Sequence, residues 1–500
     1  MIIYLIFLVL GIYCYYYLIK PFKIFNRYKK YGEGFFFPLI GEFILQNSCL
    51  EKFGDVDYIY KHINDNPANQ KKMFVENIGK NIKIKLTSID MIKDFYSYVG
   101  DQLTIDTFYT QNFKRIFGNG LVFSSGEKWK NMRRMFSPAF HFEYLKNLSS
   151  SIEKIADQVL LEYISQNRLH DVNIISMISE MTSQVVFFSF LGNSLQDIIF
   201  QGKSLAFAIT HILSALSGQV MELGYLLFGA KYLKLGIFKQ HRELENYLQE
   251  FKSFFLDIIK SKKEELQKEY RETGDIKQNC VLSILIKENN IQNLSDSDLL
   301  DNLMTFFIGG TDTTSHLIAM AIYYVCQNEH YYRMTQKEVD YYKQDTSKSI
   351  QDLPFMDAVI NETLRIYGPG NKSFDQKVTE DITINNIKIE KDIVLTSYVN
   401  SVHRDPQIYK EPHSFRPQRW INEETKYLPP FAFLPFSSGK KNCIGQHLAM
   451  IETRIILFKF FDYFDIEPQK DYVLKIRYGL LPEPVNPLLF NLKPRHNKLN

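Results

Sequence analysis

Residues Ser295 to Gln327 read as one long helix, and no other segment constrains the fold as much. A capping-type Ser295-x-x-Asp298 opens it, and Leu299, Leu300, Leu303, Phe306, Phe307, Leu317, Met320 and Ile322 carry an apolar pattern along it. So many apolar positions imply burial for much of its length, which asks for a large body packed around it. The rest of the 500-residue chain can supply that body. No Gly/Ser- or Pro-rich linker and no internal repeat divides it, and 45% hydrophobic against 23% charged residues suffices for a sizeable core. One catalytic-sized domain over residues 45–500 is therefore expected. The net charge of +3 points to no nucleic-acid partner.

Helices dominate the pattern elsewhere, with two exceptions. Met73 to Leu86 reads as two small strands around Gly79, the second alternating at Ile82, Ile84 and Leu86. A second strand region is expected from Val378 to Leu395, around an Asn385-Asn386 turn. The fold class is mainly α with small β-sheets.

Met1 to Ile19 contains no charged residue and ends at Lys20-Pro21, close to the roughly 20 apolar residues that cross a bilayer as a helix. Tyr13, Tyr15, Tyr16 and Tyr17 mark its interfacial end, and Lys20, Lys23, Arg27, Lys29 and Lys30 follow before the first acid, Glu33. A transmembrane anchor over 1–19, a basic linker and hinge over 20–44, and a basic side kept in the cytosol are expected. A cleaved signal peptide is the competing reading, but a positive n-region and an A-x-A-like site are missing. Five cysteines with no paired spacing suit a reducing compartment, so the expected location is the endoplasmic reticulum membrane with the catalytic part cytosolic.

Two segments carry chemistry. In the middle of the long helix, Gly309-Gly310-Thr311-Asp312-Thr313-Thr314 places two glycines, each costing about 1 kcal/mol relative to alanine, beside a run of hydroxyls. That weak spot is either a kink or a place where a flat cofactor and its oxygen ligand come close. Further on, Phe436-Ser437-Ser438-Gly439-Lys440-Lys441-Asn442-Cys443-Ile444-Gly445 delivers one thiol to the start of the helical pattern Ile444 to Phe461. The helix N-terminus and the flanking lysines favour a low-pKa thiolate, hence a metal ligand, although a buried structural cysteine fits the same residues. Cys14, Cys49, Cys280 and Cys326 are scattered, so zinc and iron–sulfur ligand sets are excluded.

The loop resembles the F-x-x-G-x-R-x-C-x-G signature of the cytochrome P450 family, with Lys441 in the arginine position. Four more matches follow the family's order. The Gly309 to Thr314 run resembles its oxygen-activation motif. Glu362-Thr363-Leu364-Arg365 resembles its E-x-x-R helix, and Phe415 to Trp420 resembles the segment whose arginine, here Arg419, joins that pair, with Gln418 replacing a glutamate. Trp129 and Arg133 match its W-x-x-x-R helix. A further propionate arginine is not evident in Asn371 to Val378, which includes Gln376.

The resemblance implies the cytochrome P450 fold, haem b bound by Cys443 as axial iron ligand, and Trp129, Arg133, Lys441, Phe436, Gly310 and Gly445 around the cofactor. It implies proton delivery to dioxygen through Asp312 and Thr313, and a structural network of Glu362, Arg365 and Arg419. Gly309 occupies the place of a glutamate that esterifies haem in some members, so the haem is expected to be non-covalent apart from the thiolate bond. The implied partners are a lipophilic small molecule, O2, membrane lipid and an NADPH-dependent reductase. Lys130, Arg134, Lys440 and Lys441 would form its docking face, unless they are an ordinary solvated surface. Ile198 to Phe238 reads as packed core or, by the resemblance, as a lid that dips into the membrane, with Phe108, Phe113 and Phe374 as further pocket candidates. The expected activity is monooxygenation of a fatty acid, sterol or xenobiotic; a haem-thiolate isomerase or dehydratase, or a haem-binding sensor, are the alternatives.

Overall fold

The capping box closes as its sequence predicts. Ser295 Oγ accepts from the Asp298 N–H at 3.0 Å while the Asp298 carboxylate accepts from the Ser295 N–H, and an unbroken α-helix runs Asp296–Cys326. The computed structural model describes residues 2–53, 73–141, 145, 148–192, 198–276, 280–288, 294–344, 353–422, 424–469, 471–478 and 481–495.

The long helix passes through two apolar cores in turn. Leu299 to Ile308 lie in the first, with Phe187, Phe190, Phe251 and Phe255. Leu317 to Val325 lie in the second, with Ile360, Ile456, Leu457 and Phe460. Helices Ile174–Leu191, Lys239–Thr273, Pro354–Tyr367 and Gln446–Tyr463 supply these side chains and pack on it. Between Ile308 and Leu317 the helix therefore has a polar waist, and the glycine pair sits in it.

The two glycines are not equivalent, and the helix continues through both of them. A Cβ on Gly310 would lie 2.6 Å from Val186 Cγ2, so this glycine lets helix Ile174–Leu191 approach, and Thr182 Oγ1 from the same helix donates to Thr311 O at 3.1 Å. A Cβ on Gly309 would meet nothing within 4 Å. Gly310, expected at the cofactor, thus serves helix packing, and Gly309 faces open space. Gly310→Ala should cost about 1–3 kcal/mol by overpacking, whereas Gly309→Ala should be neutral or stabilising by up to about 1 kcal/mol. Urea unfolding of the two variants measures this, and equal stabilities would contradict the assignment.

The expected hairpin forms as Met73–Ile78 against Asn81–Leu86, with Gly79 at φ +54°. In the second region Ile382–Ile384 pairs with Ile387–Ile389, and Asn385 and Asn386 both take the left-handed conformation that a two-residue turn requires. The hairpin belongs to a six-stranded sheet in the order Glu33–Gly34, Met73–Ile78, Asn81–Leu86, Val394–Ser397, Gln376–Val378, Leu103–Ile105. That sheet and its helix Ile89–Tyr98 form a third core.

At the N-terminus, Ile2–Cys14, a wider π turn over Tyr15–Ile19, and Lys20–Lys29 follow without a break. Tyr4–Lys29 is long and apolar enough to cross a membrane, and 6% of its most apolar window is buried. Within the expected basic linker and hinge over 20–44, Lys20–Lys29 is a helix with a buried face. Phe25 and Tyr28 enter the sheet core, Tyr28 Oη accepts from Glu390 N at 2.9 Å, and Arg27 pairs with Glu390. Ile174–Leu191 is equally apolar but lies mostly inside the fold as a core helix.

The described part of Ile198 to Phe238 divides between the two readings made of it. Leu205, Ile209, Ile212, Leu213 and Leu216 are buried in the first core. Met221, Leu223, Phe228, Leu235, Ile237 and Phe238 are exposed apolar side chains on the two short helices beyond it and their flanking turns, and Tyr17 Oη from the N-terminal helix donates to Leu227 O at 2.9 Å.

Candidate active site

The cysteine loop is built from turns that its residues allow. Ser437 and Gly439 take left-handed φ values of 65° and 71°, Gly439–Lys441 forms one 3-10 turn, and Cys443 N donates to Phe436 O at 3.0 Å to close the loop. The following helix starts at Gln446, with Gly445 as its N-cap. The N–H groups of Gly445 and Gln446 point at the Cys443 sulfur. Cys443 is closely surrounded by protein and yet solvent-accessible, as a side chain lining an internal space would be. Gly309, exposed in the middle of a buried helix, shows the same combination.

The expectation of an intrinsically acidic thiol is corrected. Burial raises the Cys443 thiol, and the N–H groups of Gly445 and Gln446 with the Arg133 charge offset this only in part. The flanking lysines do not contribute. Lys440 pairs with Asp101 at 2.6 Å, and Lys441 turns inward, donating to Ser124 O at 2.8 Å over the Trp129 ring at 5.3 Å. A metal cation placed at the sulfur would favour the thiolate.

Trp129 and Arg133 share a face of helix Gly126–Phe136, and both reach this loop. Arg133 donates to Asn442 O and Asn442 Oδ1, each at 2.9 Å. Arg133 and Lys441 are half-buried cations, burial pushing Lys441 down to about 8, and among the described residues neither pairs with a carboxylate. Two cations short of an anion beside an accessible thiol fit a haem, for which Cys443 would be the iron ligand and Arg133 and Lys441 would offset the propionate charge. Of the expected docking residues, Lys130 pairs with Glu127 at 2.7 Å and Arg134 reaches Asn131 Oδ1 at 3.3 Å. With Lys130 and Lys440 paired with acids and Lys441 inside, Arg134 is left facing a neutral amide and the face is not uniformly basic.

The E-x-x-R pair is fully buried. Arg365 donates to both oxygens of Glu362 at 2.9 and 2.7 Å, and Arg419 Nε adds a bond to Oε1 at 3.1 Å. Burial would raise the Glu362 carboxyl, but the Arg365 hydrogen bonds and the charges of Arg365 and Arg419 hold it below the usual glutamate value. Two further donors were not read from the sequence, Trp420 Nε1 and Arg416 N, both at 2.9 Å. Arg365 also donates to His403 O at 2.6 Å, and His403 Nε2 accepts from Leu434 N at 3.0 Å. Burial, then the Arg365 charge, push His403 down to about 3, which keeps that nitrogen an acceptor. The network is thereby tied to Leu434, two residues before Phe436.

At the waist, Thr313 Oγ1 donates to Gly309 O at 2.6 Å, so hydroxyl and open space lie on the same turn. Asp312 is enclosed, and burial raises its carboxyl while His316 opposes the rise. Of the pocket candidates, Phe108 packs edge-on against Tyr225, Phe113 is in the first core, and Phe374 stands against Phe123.

A helical body with small sheets, one enclosed thiol facing internal space, and a hydroxyl-bearing open turn in the long helix define a haem-thiolate class of oxidoreductase. The chain belongs to the cytochrome P450 family, whose model matches residues 44–489. It is similar to cytochrome P450 4V2 of Mus musculus, 27% identical over 76% of this chain and 74% of the relative. It is also similar to probable cytochrome P450 4s3 of Drosophila melanogaster, 24% identical over 95% and 94%. A third match, at 24% identity, covers 76% of this chain and 34% of the bifunctional cytochrome P450/NADPH–P450 reductase ALT2 of Alternaria alternata. The chain is a haem-dependent monooxygenase.

Proposed function

We propose that the protein inserts one oxygen atom from O2 into a lipophilic small molecule, a fatty acid, sterol or xenobiotic, with haem b held non-covalently and Cys443 as its axial ligand. The observation that carries this reading is the enclosed but accessible Cys443 sulfur, with two N–H groups aimed at it and two uncompensated cations beside it. When bound, the haem supplies reductive activation of O2, one atom entering the substrate and the other leaving as water for two electrons and two protons.

The chain's own residues orient and protonate. Arg133 and Lys441 would hold the propionates, Trp129 packs under Lys441, and Phe436 and Gly445 shape the loop. Thr313 presents its hydroxyl on the open turn, and Asp312 supplies protons behind it. The electrons come from an NADPH-dependent reductase; a relative that carries its own reductase supports this choice of donor. The apolar N-terminal helix anchors the chain in the endoplasmic reticulum membrane with the catalytic body in the cytosol. The exposed Met221, Leu223, Phe228, Leu235, Ile237 and Phe238, linked to that helix at Tyr17, give lipophilic substrates a route from the bilayer.

In reductase-supported turnover of a lipophilic substrate panel, Thr313→Ala should keep substrate binding and NADPH consumption but lose coupled product on the order of a hundredfold. Product formation independent of reductase and unchanged by Thr313→Ala would instead favour a peroxide-rearranging isomerase.

A further inference from the structure

The waist of the long helix holds one ionisable group that the reading above leaves without a task. His316 follows Asp312 by one helical turn and is nearly buried, at 6% exposure. Its Nδ1 lies 2.7 Å from Asp312 O and 3.5 Å from Asp312 Oδ1. A carbonyl oxygen only accepts, so Nδ1 carries the proton and donates to it. The same carbonyl takes the Ser315 hydroxyl at 3.2 Å in addition to its helix partner, and one turn earlier Gly309 O takes Thr313 Oγ1. Side-chain donors thus crowd the carbonyls of residues 309 and 312, the turn that opens onto the cavity, and such back-bonding loosens the ladder there.

The ring is placed to act on the Asp312 side chain as well. Among the described residues, His316 is the side chain whose interaction opposes the rise that burial imposes on that carboxyl. Tyr367, from helix Pro354–Tyr367, faces the same region at longer range and donates its hydroxyl to Pro482 O at 2.7 Å. We propose that His316 is a positioning residue for oxygen activation, fixing the turn that carries Asp312 and orienting its carboxyl to take up and pass on a proton. This rests on the role given to Asp312 above. At 3.5 Å the imidazole is too far for a strong hydrogen bond to the carboxylate, so its effect is electrostatic and orienting rather than a fixed proton bridge.

Infrared spectroscopy of the purified full-length protein reads the pair directly. The carboxyl band of Asp312 is identified by its loss in Asp312→Asn and titrated with pH in wild type and in His316→Phe, which keeps the ring volume but no donor. The ring opposes the rise of the Asp312 carboxyl, so removing it should let Asp312 stay protonated to higher pH, moving the midpoint up by about one unit. A midpoint unchanged in His316→Phe, or no carboxyl band assignable to Asp312, overturns the inference. If the phenylalanine variant does not fold, His316→Gln is scored in the same way. The haem–thiolate reading is checked separately on these samples by their reduced carbon monoxide spectra. Loss of the thiolate band in wild type would sink that reading, while the titration still reports on the pair.

Discussion

Cys443→Ser, reduced and exposed to carbon monoxide, will lack the strongly red-shifted Soret band expected of the wild-type protein, and its reductase-supported activity will fall to background. The shift requires a thiolate on iron, and a serine hydroxyl is both a harder donor and far harder to ionise. Nothing else described can replace the sulfur. Cys280 is buried and caps helix Val281–Lys287 through Ser283 N at 3.3 Å, and burial raises Cys326 far above the usual thiol range. Cys49 is buried as well, and Cys14 lies in the apolar N-terminal helix. Among the described residues no cluster of His, Cys, Asp or Glu offers another metal site. The loop itself should survive the change, because its closure uses main-chain atoms, Cys443 N to Phe436 O and Asn442 N to Gly439 O. A shifted band persisting in well-folded Cys443→Ser protein would mean that the iron is held elsewhere.

The features legible in the sequence are those whose causes are local. The Ser295 capping box, the Asn385-Asn386 turn and the Gly79 hairpin each depend on residues a few positions apart, and each forms as read. What escaped depends on partners far along the chain. Glu33–Gly34 and Leu103–Ile105 are too short to show a strand period and become strands only by pairing with Met73–Ile78 and Gln376–Val378. Lys441 could not be placed inside without knowing that the Trp129 ring and Ser124 O await it. The Cys443 thiol was read from helix-terminus electrostatics, but burial is a larger effect and sets the direction of its shift. The division of labour between Gly309 and Gly310 needed Val186, more than a hundred residues earlier. His316 carried the one overlooked signal that was local, a histidine one turn beyond an acid on the same helix face.

Glu362→Ala is expected to be the most destabilising single substitution in the body of the protein. Five donors converge on the two carboxylate oxygens: Arg365 Nε and Nη2, Arg419 Nε, Trp420 Nε1 and Arg416 N. Removing the acceptor strands two guanidinium charges whose side chains are 0% and 1% exposed, and breaking a buried pair in this way costs about 3–5 kcal/mol. A domain of ordinary stability has roughly 5–15 kcal/mol in total. Glu362→Gln should rescue little, because its amide puts donors where Arg365 or Arg419 already donates. The damage should reach the site, since Arg365 holds His403 O and His403 holds Leu434 N at the entrance to the cysteine loop. Urea unfolding should therefore move to lower denaturant together with loss of haem incorporation. The pH dependence has a definite sign. A carboxyl held below its ordinary 4.5 contributes its stability in full above that value and loses it as pH falls through the lower folded-state value. The wild-type protein should accordingly lose stability below pH 4.5 with a contribution that Glu362→Gln lacks, and identical acid limbs for the two would show that the network carries no net charge stabilisation.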